Sequence, residues 1–135
     1  IGGKPSTEQQ TWAKMLNYAG HWAWMRYGYW AVEEKSTASF VGEMGFADFK
    51  RNMDPEFDCL PELGWALTPR FHGKGYATEA LRAAVAWGDE CFGAVKTFCI
   101  IDPANLAAIR VAQKCGYAES KRITLNGNAT IRFVR

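Results

Sequence analysis

A chain of 135 residues has room for one domain and buries roughly two-thirds of the surface that its unfolded form exposes. Its 48% hydrophobic and 22% charged residues are ordinary globular usage and exclude disorder. Sixteen basic against 14 acidic residues leave a net charge of +2, too even for nucleic acid or an anionic membrane to be the main partner, so any anion site must be local.

No stretch approaches the ~20 apolar residues that span a bilayer, and no charged segment followed by an apolar run opens the chain. Cys59, Cys91, Cys99 and Cys115 form no C-x-x-C pair and have only His21 and His72 as companions, so the pattern excludes zinc and predicts reduced thiols in a cytoplasmic protein. There is no repeat and no linker. The most irregular stretch is 50–61, and one continuous unit is expected.

In chain order, Ser6 with Gln9 three residues on forms a capping box for a helix from Thr7 to about Arg26, with Trp12, Met15, Leu16 and Ala19 at helical spacing. Tyr29 to Glu34 and Phe40 to Phe49 are aromatic and β-branched and read as an antiparallel hairpin. Leu63 to Leu67 is a third strand. Gly73-Lys74-Gly75 then opens a periodic helix with Ala77, Ala80, Leu81, Ala84, Val85, Gly88, Cys91 and Phe92 on one face, stopping at Gly93.

Val95 to Ile101 reads as a buried strand, and Asp102-Pro103 as the N-cap and first-turn proline of a helix ended by Gly116. Tyr117 to Leu125 and Ala129 to Val134 close through an Asn126-Gly127 turn. The order helix, strand, strand, strand, helix, strand, helix, strand, strand predicts an α/β or α+β fold with a mixed, mostly antiparallel sheet flanked by helices.

Small residues between a strand and a helix carry the chemistry. Unpaired N–H groups and the dipole at a helix start favour an anion, glycines let it approach, and Lys74 adds charge. On these residues alone, an anion site and a tight turn that binds nothing are equally open. About thirty residues on, Asn105 opens a helix that ends Lys114-Cys115-Gly116-Tyr117.

Together these resemble the GNAT superfamily of acyl-CoA N-acyltransferases, whose phosphate loop reads (Gln or Arg)-x-x-Gly-x-(Gly or Ala) and whose next helix starts on Asn and finishes Lys-x-Gly-(Phe or Tyr). The chain is most similar to the RimJ/RimL-type branch through Phe40-Val41-Gly42-Glu43, Glu62-Leu63-Gly64-Trp65-Ala66-Leu67, Gly73 to Ala80 and Asn105 to Val111. The resemblance covers essentially the whole chain. It implies that a first strand and helix normally precede Ile1, so that a truncated domain is expected over residues 1–135.

The resemblance further implies acetyl-CoA as co-substrate. Trp65, Ala66 and Leu67 would pair through their backbone with the pantetheine arm, His72, Gly73, Lys74, Gly75, Tyr76 and Ala77 would hold the pyrophosphate, and Asn105 would touch the arm or fix its loop. His72 stands where Gln or Arg is usual. Ala112 stands where many members carry a tyrosine that protonates the departing thiolate. No metal is implied.

Transfer to an amine needs a neutral nitrogen, an oxyanion donor and a route for the proton. Glu62 and then Glu43 are the candidate bases, with solvated strand carboxylates as the plainer alternative. The cluster Trp22, Trp24, Tyr27, Tyr29 and Trp30 reads first as core and second as an acceptor wall. Cys115, Cys91 and Cys99 read as core, and Cys59 as a loop thiol. The expected acceptor is a protein N-terminus or a small amine, with homodimerisation open. A non-catalytic CoA-binding module or an incomplete fragment is the alternative.

Overall fold

The computed structural model describes residues 5–51 and 59–135, so residues 1–4 and most of the irregular 50–61 stretch lie outside the described residues. Helix α1, Glu8–Met25, starts one residue later than Ser6 suggests. Thr7 Oγ1 accepts from the Gln10 N–H at 3.2 Å and Gln10 Oε1 accepts from the Thr7 N–H at 2.9 Å. Ser6/Gln9 and Thr7/Gln10 carry the same chemistry at the same spacing, so the local sequence does not separate them.

Six strands form one sheet in the order β1-β2-β3-β4-β6-β5: β1 is Tyr29–Glu33, β2 Phe40–Ala47, β3 Glu62–Leu67, β4 Phe98–Ile101, β5 Ala118–Leu125 and β6 Asn128–Val134. Every neighbouring pair is antiparallel except β3 and β4. The Asn126-Gly127 turn has φ of 50° and 80°, the left-handed pair that a two-residue hairpin needs.

Helix α2, Tyr76–Phe92, covers one face of the sheet with Leu81, Ala84, Val85 and Gly88, and these pack on Met44, Phe46, Leu63, Cys99, Ile131 and Phe133. Fully burying a side chain such as Leu81 or Phe133 contributes about 2 kcal/mol. Cys91, expected in this stripe, is exposed: in the last turn Phe92 takes the centre of the face, packing on Tyr27, Phe46 and Trp87, and leaves Cys91 at the margin. Helix α3 is Leu106–Lys114, capped by Asn105 rather than by Asp102. Asp102 Oδ1 instead accepts from the Ala104 N–H at 2.8 Å and shapes the turn before the cap.

Alternation along β2 and β3 sorts their side chains. Met44 and Phe46 face α2, as do Leu63 and Trp65, while Glu43, Gly45, Glu62, Gly64 and Ala66 point to the other face, where Lys14 and Tyr18 of α1 reach Glu43. The spacing of Trp12, Met15 and Leu16 does mark a helix, but these side chains remain 55–60% exposed. The aromatic cluster divides. Trp22 and Trp30 pack edge-on with Trp87 and Tyr27 is core, whereas Trp24 is 88% exposed and Tyr29 lies on the Glu43 face.

Candidate functional site

Strands β3 and β4 run parallel from a single point of contact, Glu62 opposite Phe98, with the Phe98 N–H donating to the Pro61 carbonyl at 3.2 Å. Beyond that point Leu63–Leu67 and Cys99–Ile101 form no further pairs with each other, so the sheet opens toward the C-terminal ends of both strands. The N-termini of α2 and α3 follow those ends and stand at the mouth, the place where open α/β sheets take ligands.

At the mouth, a 3-10 turn over Pro69–Phe71 leads into His72 and the two glycines. Gly73 and Gly75 have φ of 72° and 87°, a conformation other residues adopt only with strain, and a Cβ on either would meet nothing within 4 Å. The glycines therefore serve conformation and leave open space. Gly75 caps α2 with no side-chain bond, and the first bond of the helix runs from the Glu79 N–H to Gly75 O at 3.0 Å. The N–H groups of Tyr76, Ala77 and Thr78 thus remain as donors at the positive end of a 17-residue helix.

His72 Nε2–H donates to the Leu67 carbonyl at 2.9 Å, tying the loop to the end of β3. Arg70 and Lys74 lie over the Phe71 ring at 4.7 and 5.8 Å, leaving both cations near the loop. Tyr76 donates from its hydroxyl to Glu34 Oε1, fixing the start of α2 against the β1–β2 hairpin. Asn105 Oδ1 accepts from the Ala108 N–H at 3.0 Å and so acts as a cap, with its amide nitrogen left for a neighbour. An open cradle, unpaired backbone donors and nearby cations fit a pyrophosphate, and the β3 edge beside the opening fits an extended amide arm.

The carboxylates stand on the other face of the same strands. Glu43 is opposite Ala66, and Glu62 is opposite Ala47, with Gly45 and Gly64 between them. Glu62 is 4% exposed and both its oxygens accept from Arg51, at 2.7 Å from Nε and 3.0 Å from Nη2. Burial pushes its carboxyl above the usual carboxylate range and Arg51 pulls it part of the way back. Glu43 Oε1 accepts from Lys14 Nζ and, at 3.2 Å, from the Tyr18 hydroxyl.

Between the two carboxylates lies Tyr29, whose phenol is pushed up by burial first and by Glu62 and Glu43 after it. Sequence reasoning placed Tyr29 only in an aromatic cluster and did not find Arg51, Lys14 or Tyr18, because cross-strand register carries no local signal. His21 is used structurally: Nδ1–H donates to the Tyr27 carbonyl at 2.6 Å and Nε2 accepts from the Asp48 N–H at 2.9 Å. Cys99 and Cys115 are buried with their thiols pushed up by desolvation, and Cys59 is exposed. Among the described residues no group of His, Cys, Asp or Glu could hold a metal, and no helix is long and apolar enough to cross a membrane.

Comparison with known proteins bears on the family and the fold. The chain is 38% identical over 96 residues to the uncharacterized protein YkkB of Bacillus subtilis (strain 168), covering 70% of this chain and 52% of YkkB, so it spans about half the length of that relative. Its fold matches a protein described as a GNAT-family acetyltransferase from Bordetella pertussis with a TM-score of 0.92 and 28% identity, over 100% of this chain and 81% of the other. It also matches a protein described as a ribosomal-protein-serine acetyltransferase from Vibrio cholerae, with a TM-score of 0.76 and 20% identity, over 96% and 75% of the two chains. At that identity the likeness is one of fold alone. The model of the acetyltransferase (GNAT) domain matches residues 1–118, and the chain belongs to this family.

Proposed function

We propose that this chain transfers the acetyl group of acetyl-CoA to a primary amine, a protein N-terminus or a small-molecule amine, by direct attack with a carboxylate as base. The observation that carries this is the opening between β3 and β4 with the uncapped N-terminus of α2 at its mouth. Trp65, Ala66 and Leu67 offer their backbone to the pantetheine arm, His72 through Ala77 hold the pyrophosphate, and Asn105 borders the arm. Bound there, acetyl-CoA supplies an activated acyl carbon. The RimJ/RimL-type branch fits the segments around Glu43, Glu62 and Gly73, and the fold likeness to a ribosomal-protein acetyltransferase accords with it.

An amine of pKa about 8 to 10 is mostly protonated at neutral pH, so the nucleophile must lose a proton before or during attack. Glu62 is the first candidate base: its burial raises its proton affinity, and a carboxylate that accepts two bonds from Arg51 keeps further lone pairs. Glu43, beside Ala66, is the second. A cytoplasmic setting accords with the free thiols.

A screen of acetyl-CoA against peptides with free N-termini, polyamines and aminoglycosides, read by release of the CoA thiol, tests the activity. Glu62→Gln is expected to lower kcat by about 10²-fold or more, and Glu43→Gln by less. Tight CoA binding with no thiol release for any amine favours a non-catalytic CoA-binding module, with which a fully buried Ala112 on α3 is consistent.

A further inference from the structure

We propose that the Tyr29 hydroxyl is the proton donor to the sulfur that leaves during acetyl transfer, an inference that rests on the β3–β4 opening being the thioester site. Tyr29 stands directly opposite Gly45 on β2, and Gly45 directly opposite Gly64 on β3. Strands lie ~4.8 Å apart, so a ring starting on β1 reaches β3 only when nothing projects from the strand between and from the place of arrival. Both positions are glycine. A Cβ on Gly45 would fall 2.5 Å from Tyr29 Cα, and one on Gly64 would fall 1.9 Å from the Tyr29 hydroxyl oxygen.

The ring is held in this reach. Tyr18 stacks on it with centroids 4.7 Å apart and planes 13° apart, and Phe49 meets it edge-on at 6.2 Å. The hydroxyl therefore rests above Gly64, on the strand that borders the opening and next to the Trp65–Leu67 segment. A thioester arm anchored by its phosphates at the mouth directs its reactive end toward the closed end at Glu62 and Phe98, two residues below Gly64. Among the described residues the Tyr29 hydroxyl makes no hydrogen bond, whereas that of Tyr18 is committed to Glu43.

Glu62 and Glu43 flank this hydroxyl, with Arg51 and Lys14 behind them. Burial and the two carboxylates raise the proton affinity of the phenol, so it is protonated at neutral pH and does not act as the base. As the amine nitrogen bonds to the acyl carbon, the C–S bond breaks and the sulfur takes that electron pair and the Tyr29 proton. The proton lost by the nitrogen passes to Glu62 and returns through water to the phenolate. One amide and one thiol result, with no change of oxidation state.

The test uses CoA, acetyl-CoA and hydroxylamine, a small nucleophilic amine that needs no acceptor pocket, on wild type, Tyr29→Phe and Gly64→Ala. A hydroxyl donating to the sulfur stabilises the thiolate, so the pKa of bound CoA thiol, followed by thiolate absorbance, is expected to rise in Tyr29→Phe. CoA affinity should stay within about two-fold while kcat for acetyl transfer to hydroxylamine falls about 10²-fold. Gly64→Ala, which displaces the hydroxyl while keeping it, should move both readouts the same way. A thiol pKa unmoved in Tyr29→Phe with CoA still bound overturns the Tyr29 assignment alone. No CoA binding by the wild-type chain overturns the thioester site, and this assignment with it.

Discussion

Replacing Arg51 by Met removes two hydrogen bonds, at 2.7 and 3.0 Å, from a carboxylate whose side chain is 6% exposed. Breaking a buried ion pair by deleting one partner costs about 3–5 kcal/mol, because the other charge stays buried and unpaired. Arg51 keeps 30% of its side chain in solvent, which weakens the pair, and a loss of about 2–3 kcal/mol at neutral pH is expected.

The sign of the pH dependence is fixed by burial. The Glu62 carboxyl already lies above its ordinary value of 4.5, and losing the cation raises it further. The folded variant then binds a proton more tightly than the unfolded chain, so its stability is highest below the unfolded pKa and falls as pH rises through the folded one. Urea unfolding of both proteins at steps from about pH 4 to pH 8 should show a gap that widens upward, and Arg51→Met/Glu62→Gln should recover most of it. A gap that is flat across this range would refute the assignment of Glu62 as the buried charge.

Asn105→Ala removes the α3 cap and should cost about 1 kcal/mol in chemical unfolding; weaker CoA binding beyond that loss would show that its amide also touches the arm. Native-state alkylation followed by peptide mass mapping should modify Cys59 and Cys91 and spare Cys99 and Cys115, whose thiols are buried and pushed up. Trp87→Ala empties the contact shared with Trp22, Trp30, Phe46 and Phe92 and should destabilise the fold by about 3–5 kcal/mol, measured by denaturant midpoint.

The order of elements was legible because strong local signals mark it: the periodic face of α2, the Gly93 and Gly116 stops and the Asn126-Gly127 turn all act where they stand in the sequence. Caps were legible to within a few residues, since Ser6 and Thr7, or Asp102 and Asn105, are chemically equivalent and tertiary packing chooses between them. The tight turn that opens α2 was legible through Gly73 and Gly75, whose positive φ it requires. The faces of the strands were not. Whether Glu43 and Glu62 point the same way, and whether Tyr29 crosses two glycines to lie between them, depends on β1–β2 and β2–β3 register, which no local pattern encodes. Arg51 escaped notice for the same reason, and Cys91 because a helical stripe drifts at its end.

Calorimetry of acetyl-CoA binding to wild type and to Gly73→Val/Gly75→Val tests the central claim most directly. Each substitution places a side chain at a φ of 72° or 87° at about 1–2 kcal/mol of strain and fills the open cradle at the start of α2, while circular dichroism checks that the fold persists. The cleft described here predicts binding by the wild type and its loss in the variant. Equal binding by both, or none by the wild type, would contradict it.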